Sequence, residues 1–237
     1  MTNNNKPGIW ITGASSGIGR AAAIEFAGSG AKVFASARRA DELQKINLEL
    51  NNNSGIEALP CNVSSFEDVE QTVNKIAAVH KIDCLVNNAG ITSFRRAENN
   101  TIQEINDVIN TNLLGAIYSI KSVLPHMIAQ GGGTIINIVS IVAKKIFLNS
   151  SAYAASKAGL QAYTDSLREE VRKYNIRIIN VVPGATETPI WHEETRIKNA
   201  GRMMKAEDIG KLIVWLFYQK ENMVTEEIVV RPITGDL

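Results

Sequence analysis

The chain has 237 residues, 45% of them hydrophobic and 21% charged, enough to bury one large α/β core or two small ones. Lys and Arg total 25 against 24 Asp and Glu, and a net charge of +1 gives no global attraction to nucleic acid or an acidic membrane. Two cysteines, Cys61 and Cys84, exclude a disulfide scaffold. The polar residues 1–7 lack the apolar core of a secretory signal, and the apolar run 212–217 falls far short of the ~20 residues a membrane span needs. The expectation is a soluble, cytoplasmic protein with neither membrane nor nucleic-acid partners.

Short apolar runs alternate with amphipathic stretches along the chain. Residues 8–12, 32–37, 55–59, 83–87, 133–139 and 176–182 read as strands. Their apolar residues are crowded instead of alternating, as in strands covered on both faces. Helices are predicted over 17–29, 41–51, 65–80, 101–129 and 151–174. Ser65 with Asp68, and Thr101 with Glu104, have the spacing of capped helix starts. Asn51-Asn52-Asn53 and Gly131-Gly132-Gly133 fit surface turns better than domain boundaries. Strand–helix alternation implies parallel strands joined by right-handed crossovers. The predicted fold is α/β, a Rossmann-type doubly wound parallel sheet in three layers, with residues 1–237 forming a single domain. In the strand order usual for such sheets, the third strand, ending at Cys61, is not beside the fourth, which holds Cys84, so no disulfide is expected.

The first strand runs into Thr12-Gly13-Ala14-Ser15-Ser16-Gly17-Ile18-Gly19 and then into a helix. Gly13 permits a tight turn, Gly17 a close backbone approach, and Gly19 close packing of helix on strand. The helix amino terminus offers N–H groups and a positive dipole end to a pyrophosphate, so Gly13, Ser15, Ser16, Gly17, Ile18 and Gly19 form a candidate cofactor cradle. The position of the turn, at the first strand-to-helix junction, is that of a dinucleotide site. The second strand ends Ser36-Ala37-Arg38-Arg39. Where a carboxylate would hold a ribose 2′-hydroxyl, Ala37 stands, followed by two guanidinium groups suited to a 2′-phosphate. NADP(H) is therefore the expected cofactor, bound in part by Arg38 and Arg39.

Further motifs follow in order: Asn87-Asn88-Ala89-Gly90, Asn112 within Asn110-Thr111-Asn112-Leu113-Leu114-Gly115, Ser140, Tyr153-Ala154-Ala155-Ser156-Lys157, and Pro183-Gly184 with Thr188. Together with the glycine turn, they make residues 8–189 resemble the short-chain dehydrogenase/reductase family. The resemblance implies cofactor contacts from Asn88, Ala89, Gly90, Pro183, Gly184, Thr186 and Thr188, the last at the nicotinamide carboxamide. Asn62 and Val63 stand where the family usually has Asp-Val at the adenine; Asn62 can accept or donate a hydrogen bond there. The resemblance also implies that Asn112 anchors a water between Lys157 and solvent, and that Lys157 holds the nicotinamide ribose.

Tyr153 and Lys157 are four residues apart and share a helix face. A nearby ammonium favours phenolate, so Tyr153 is expected to have a lowered pKa and to act as general acid in reduction and base in oxidation. Ser140 is expected to orient the substrate oxygen and stabilise developing alkoxide charge. His80, His126 and His192 lack metal-ligand spacing, so no metal is expected, and His80 and His126 are expected on helix surfaces.

Residues 186–205 follow the Pro-Gly turn and form a candidate lid, with Trp191, His192 and Met204 as candidate substrate contacts for an apolar or planar molecule. The stretches 183–191 and 226–237 resemble a subgroup of the family that includes bacterial sepiapterin reductases and hydroxy-acid dehydrogenases. The leading expectation is thus hydride transfer between NADP(H) and a small carbonyl or alcohol substrate. A 3-oxoacyl thioester reductase is an alternative that the carboxy-terminal sequence disfavours. A non-catalytic NADP-binding sensor is the alternative of another class, disfavoured because Tyr153 and Lys157 are both present. The long helices over 101–129 and 151–174 resemble those forming the family's dimer face, so a homodimer or homotetramer is expected.

Overall fold

The structure is a computed structural model that describes residues 6–49, 55–220 and 222–237. The predicted turn at Asn51 to Asn53 and the last residues of the predicted second helix lie outside the described residues.

The chain begins with β1 (Gly8–Thr12), α1 (Gly17–Gly28), β2 (Lys32–Ser36), α2 (Ala40–Glu49), β3 (Ile56–Ala58), α3 (Phe66–Ala77) and β4 (Cys84–Asn87). It continues with α4 (Ile102–Ile109), α5 (Gly115–Gln130), β5 (Gly133–Ile138), α6 (Ser151–Val171), β6 (Ile176–Pro183) and the two-residue β7 (Thr186–Glu187). Last come α7 (Glu193–Asn199), the two-residue β8 (Met204–Lys205), α8 (Ala206–Phe217) and β9 (Glu227–Val230). Seven strands form one parallel sheet in the order β3-β2-β1-β4-β5-β6-β9, while β7 pairs with β8 alone. The order reverses between β1 and β4, and the loops leaving their carboxyl ends part there to open a crevice.

The crowded apolar runs are covered on both faces as their composition implies. Ile9, Ile11, Val33, Val86 and Ile179 pack with residues of α1 and α8 on one face. Trp10, Phe34, Leu85, Ile135 and Ile178 pack with residues of α3, α5 and α6 on the other. Each such fully buried side chain contributes on the order of 1.5–3 kcal/mol. Gly210 lets α8 approach α1 closely: a Cβ there would lie 2.9 Å from the Ala21 carbonyl carbon. Both predicted caps form. Ser65 Oγ accepts from Asp68 N, and Thr101 with Glu104 makes a reciprocal capping box.

Four features differ from the sequence reading. Cys61 lies beyond β3, in the following loop, because the strand ends at Ala58; both cysteines are buried free thiols. The predicted helix over 101–129 is two helices joined by a π-helical turn, Asn110–Leu114. His80 and His126 are half-buried rather than surface residues, and the His80 ring packs edge-on against Phe34. The carboxy-terminal half of the fold adds α8 and a seventh strand, β9. As an edge strand β9 is only half covered, its residues alternating between exposed and half-buried although Ile228-Val229-Val230 is itself a short apolar run. Side chains fix it in place: Gln161 Nε2 donates to Glu227 Oε2 at 2.6 Å, and Lys144 pairs with Glu227 at 2.9 Å. Among the described residues no helix is long and apolar enough to cross a membrane.

Candidate active site

The crevice is a cleft of about 970 Å³ at the carboxyl edge of the sheet. Of the residues singled out from sequence, Gly13, Ser15, Ser16, Gly17, Ile18, Arg38, Arg39, Asn62, Val63, Asn88, Ala89, Gly90, Ser140, Tyr153, Lys157, Pro183, Gly184, Thr186, Thr188 and Trp191 line it. Gly19, Asn112, His192 and Met204 stand outside the lining.

The glycine turn is held from the far side of the crevice. Gly13 has φ +66°, and a Cβ on it would lie 2.7 Å from Ala89 Cα. Gly17 has φ +54° and abuts the Thr188 side chain, where a Cβ would come within 3.0 Å. Gly19 makes room both for Asn88 and for the backbone leaving the first strand, since a Cβ there would collide with Asn88 Nδ2 and would lie 2.5 Å from the Gly13 carbonyl oxygen. That amide donates to the carbonyls of Thr12 and Gly13 at 3.1 and 3.0 Å. In return, Thr12 Oγ1 accepts from Asn88 N and Ala89 N at 3.1 and 3.2 Å. Ser16 makes no side-chain cap to α1, which leaves amides of the first turn for a ligand.

Beyond the turn, Arg38 and Arg39 are exposed at the cleft wall, and Arg39 Nη2 donates to Ser15 Oγ at 3.4 Å. Ala37, at the end of the second strand, is buried and uncharged. Asn62 Oδ1 accepts from Ser64 N at 3.3 Å, leaving its NH2 available. Val63 packs on Gly115, where a Cβ would come within 2.9 Å of its Cγ2. The residues present therefore fit an NADP-type dinucleotide: a cradle open only to glycine, uncapped helix amides, and two exposed guanidiniums directly after the uncharged Ala37.

Ser140 follows β5 and opens a 3₁₀ turn, Ile141–Ala143, with its Oγ accepting from Val142 N at 3.4 Å. Tyr153 and Lys157 stand one turn apart on α6, both buried. In the chain alone, without the charge of an oxidised nicotinamide, burial dominates the Tyr153 phenol. Burial pushes the phenol up to about 12, although a hydrogen bond with Ser140 pulls the other way. Lys157 Nζ sits 6.0 Å from the Tyr153 ring centroid and donates to the Ile138 carbonyl at 2.7 Å. Burial holds Lys157 down to about 8. Asn112, within the π turn, is wholly engaged. Its Oδ1 accepts from Ile91 N at 2.8 Å, and its Nδ2 donates to Ile91 O at 2.9 Å and Ser156 Oγ at 3.0 Å. It thereby ties the loop after β4 to the helix turn that carries Lys157.

An aromatic pair flanks Tyr153. Phe94 packs edge-on against Tyr153, with centroids 6.2 Å apart, and stacks on Trp191 at 5.1 Å. Sequence reasoning missed Phe94; its one signal was an aromatic residue shortly after the Asn-Asn-Ala-Gly turn. Its φ of +34° is uncommon for a bulky residue. Trp191 Nε1 donates to the Thr186 carbonyl at 3.1 Å, so the segment after β6 carries the second ring. His192 is exposed, and Met204 is taken up by β8 and the core beneath it. Among the described residues no group of His, Cys, Asp or Glu is clustered to hold a metal ion.

A doubly wound sheet with this crevice, glycine cradle and Ser–Tyr–Lys group defines an oxidoreductase of the Rossmann-like class. The sequence profile of the family described as short chain dehydrogenase matches residues 8–199. The chain belongs to the short-chain dehydrogenase/reductase family. It is 36% identical over 238 residues to a sepiapterin reductase of Chlorobaculum tepidum, covering 97% of each chain. Among solved structures, it is similar to a metagenomic short-chain oxidoreductase in complex with NADP, with a TM-score of 0.84, 29% identity and coverage of 95% and 96%. It is also similar to an alcohol dehydrogenase from the archaeon Thermococcus sibiricus complexed with 5-hydroxy-NADP, with a TM-score of 0.88, 26% identity and coverage of 98% and 99%.

Proposed function

We propose that the protein is an NADP(H)-dependent reductase or dehydrogenase acting on a small carbonyl or alcohol substrate. The observation that carries this reading is the convergence of Ser140, Tyr153 and Lys157 in the same cleft as the glycine cradle and Arg38–Arg39. The cofactor supplies the hydride; the chain supplies position, charge and the proton. Arg38 and Arg39 receive the 2′-phosphate, the first-turn amides of α1 the pyrophosphate, and Asn62 and Val63 the adenine end. Gly90, Pro183, Gly184, Thr186 and Thr188 surround the nicotinamide end, and Lys157 holds its ribose.

In reduction, the Ser140 hydroxyl donates a hydrogen bond to the substrate oxygen and fixes it beside Tyr153. The Tyr153 hydroxyl gives its proton to that oxygen as alkoxide charge develops. A phenol kept protonated across the neutral range by burial carries the proton that reduction consumes. The Lys157 ammonium, next along the helix face, stabilises the phenolate left behind. Asn112 positions this group through Ile91 and Ser156. Residues 186–205 act as a lid, bounded by the β7–β8 pair and presenting Trp191.

The flat Phe94–Trp191 surface supports a substrate with a planar conjugated part beside its carbonyl. The likeness to a sepiapterin reductase supports the same class, a ketone in the side chain of a heterocycle. The free thiols of Cys61 and Cys84 support a reducing, cytoplasmic setting. An apolar side chain left exposed at the start of α4, Ile102, supports assembly into a homodimer or homotetramer through the α4–α5 and α6 faces. The test is NADPH oxidation across pterin ketones, diketones, oxo acids and acyl thioesters. Turnover of a ketone is expected, and Tyr153→Phe abolishes it while leaving NADPH binding intact. Selective turnover of thioesters, or full activity of Tyr153→Phe, would overturn the assignment.

A further inference from the structure

A line of amide side chains runs across the sheet beneath α6. Asn87 on β4, Asn137 on β5 and Asn180 on β6 occupy one register, side by side on adjacent parallel strands. Asn87 Nδ2 donates to Asn137 Oδ1 at 3.0 Å, and Asn137 Nδ2 donates to Asn180 Oδ1 at 3.2 Å. Asn180 Nδ2 then donates to Thr164 Oγ1 at 2.9 Å and Asp165 Oδ1 at 3.2 Å, both on α6. All three asparagines and Thr164 are buried. A sheet–helix interface needs no such groups for stability, because burying an amide costs free energy that apolar side chains would not.

Hydrophobic packing is non-directional and tolerates small slides, whereas a hydrogen-bonded ladder has fixed lengths and angles. Its rungs adjoin the reacting groups. Asn137 immediately precedes Ile138, whose carbonyl holds Lys157 Nζ, and Ser140 comes two residues later. Thr164 lies two turns along α6 from Lys157, on the same face. The helix carrying Tyr153 and Lys157 is therefore fastened to the sheet by the ladder, by Lys157 itself, by Gln161, and by Arg168, whose Nε donates to the Ile178 carbonyl at 3.3 Å.

We infer that Asn137 is a positioning residue for proton transfer: through the Asn87–Asn137–Asn180–Thr164 ladder, it sets the Ile138 carbonyl and α6 so that Lys157 is held beside Tyr153. Loosening this carbonyl removes an acceptor that favours the ammonium, so the lysine titrates lower and the phenolate loses its neighbouring charge. This inference rests on the carbonyl–alcohol reading only in its kinetic readout.

The experiment compares the parent with Asn137→Leu, which fills the same space without hydrogen bonds, and with Asn137→Thr, whose hydroxyl can accept and donate. Side-chain nitrogen NMR of the cofactor-free protein follows the Lys157 titration, with Lys157→Met identifying the resonance. The midpoint should fall in Asn137→Leu and return toward the parent value in Asn137→Thr. In the holoenzyme, Asn137→Leu should lower kcat by about tenfold or more while KM for NADPH stays within about twofold. In alcohol oxidation its half-maximal pH should move up. Asn87→Leu removes only the first rung and should give a smaller shift of the same sign, which keeps the test open if Asn137→Leu folds poorly. An unchanged Lys157 midpoint in both leucine variants would overturn the inference, whether or not stability falls. A parent that turns over no carbonyl compound would instead overturn the functional reading, with the Lys157 titration still deciding the ladder.

Discussion

Arg38 and Lys157 show how differently single side chains can be read from a sequence. Arg38 needed only its place after Ala37 at the end of the second strand, and the structure sets it in the cleft wall. Charge-assisted hydrogen bonds to a phosphate are worth ~1.5–3 kcal/mol. Arg38→Ala should thus weaken NADPH binding by about tenfold or more and leave NADH binding unchanged, as read by calorimetric titration. Lys157 depends on surroundings that spacing cannot supply. Its ordinary pKa of 10.5 falls to about 8 through burial. Between those values the unfolded chain holds a proton that the folded one has shed, so folding stability rises with pH. Tyr153 works oppositely, its folded form keeping the proton from 10 up to about 12, so its contribution is lost as pH rises through that window. In denaturant titrations of the cofactor-free protein, the stability advantage of Lys157→Met over the parent should shrink from pH 8 to pH 10.5.

Helix starts follow local chemistry closely, helix interiors less so. The Thr101–Glu104 capping box forms as its spacing requires, because both partners are within one turn. Thr101→Ala should cost about 1 kcal/mol in denaturant unfolding and leave kcat unchanged, since the cap is exposed and far from the reacting groups. The π turn at Asn110–Leu114 interrupts the same amphipathic pattern that predicts one continuous helix. Its cause is long-range: Asn112 is bound to the Ile91 backbone and Ser156, and Val63 crowds Gly115. Gly19 answers to both scales, since a side chain there would meet the nearby Gly13 carbonyl and Asn88, far along the chain.

Strand order across the sheet brings the two halves of the site together. The glycine turn, Asn88, Ser140 and Pro183 end β1, β4, β5 and β6, and only their parallel pairing puts them on one edge. The segment after β6 returns over that edge, and there Trp191 meets Phe94 from the loop after β4. If this pair receives the substrate, Phe94→Ala should raise KM for planar ketones while NADPH affinity stays constant; unchanged kinetics would reduce the stack to lid packing.

The strands buried on both faces, the glycine cradle, the Tyr–Lys spacing and the paired arginines were legible from residue types at short separation, because their physics is local. The seventh strand was not, since a half-exposed edge strand is defined by its neighbour rather than by its own pattern. Phe94, the burial of Tyr153 and the asparagine ladder lay equally out of reach. Each depends on which distant groups share a buried space, and burial and hydrogen-bond direction exist only once the sheet is assembled.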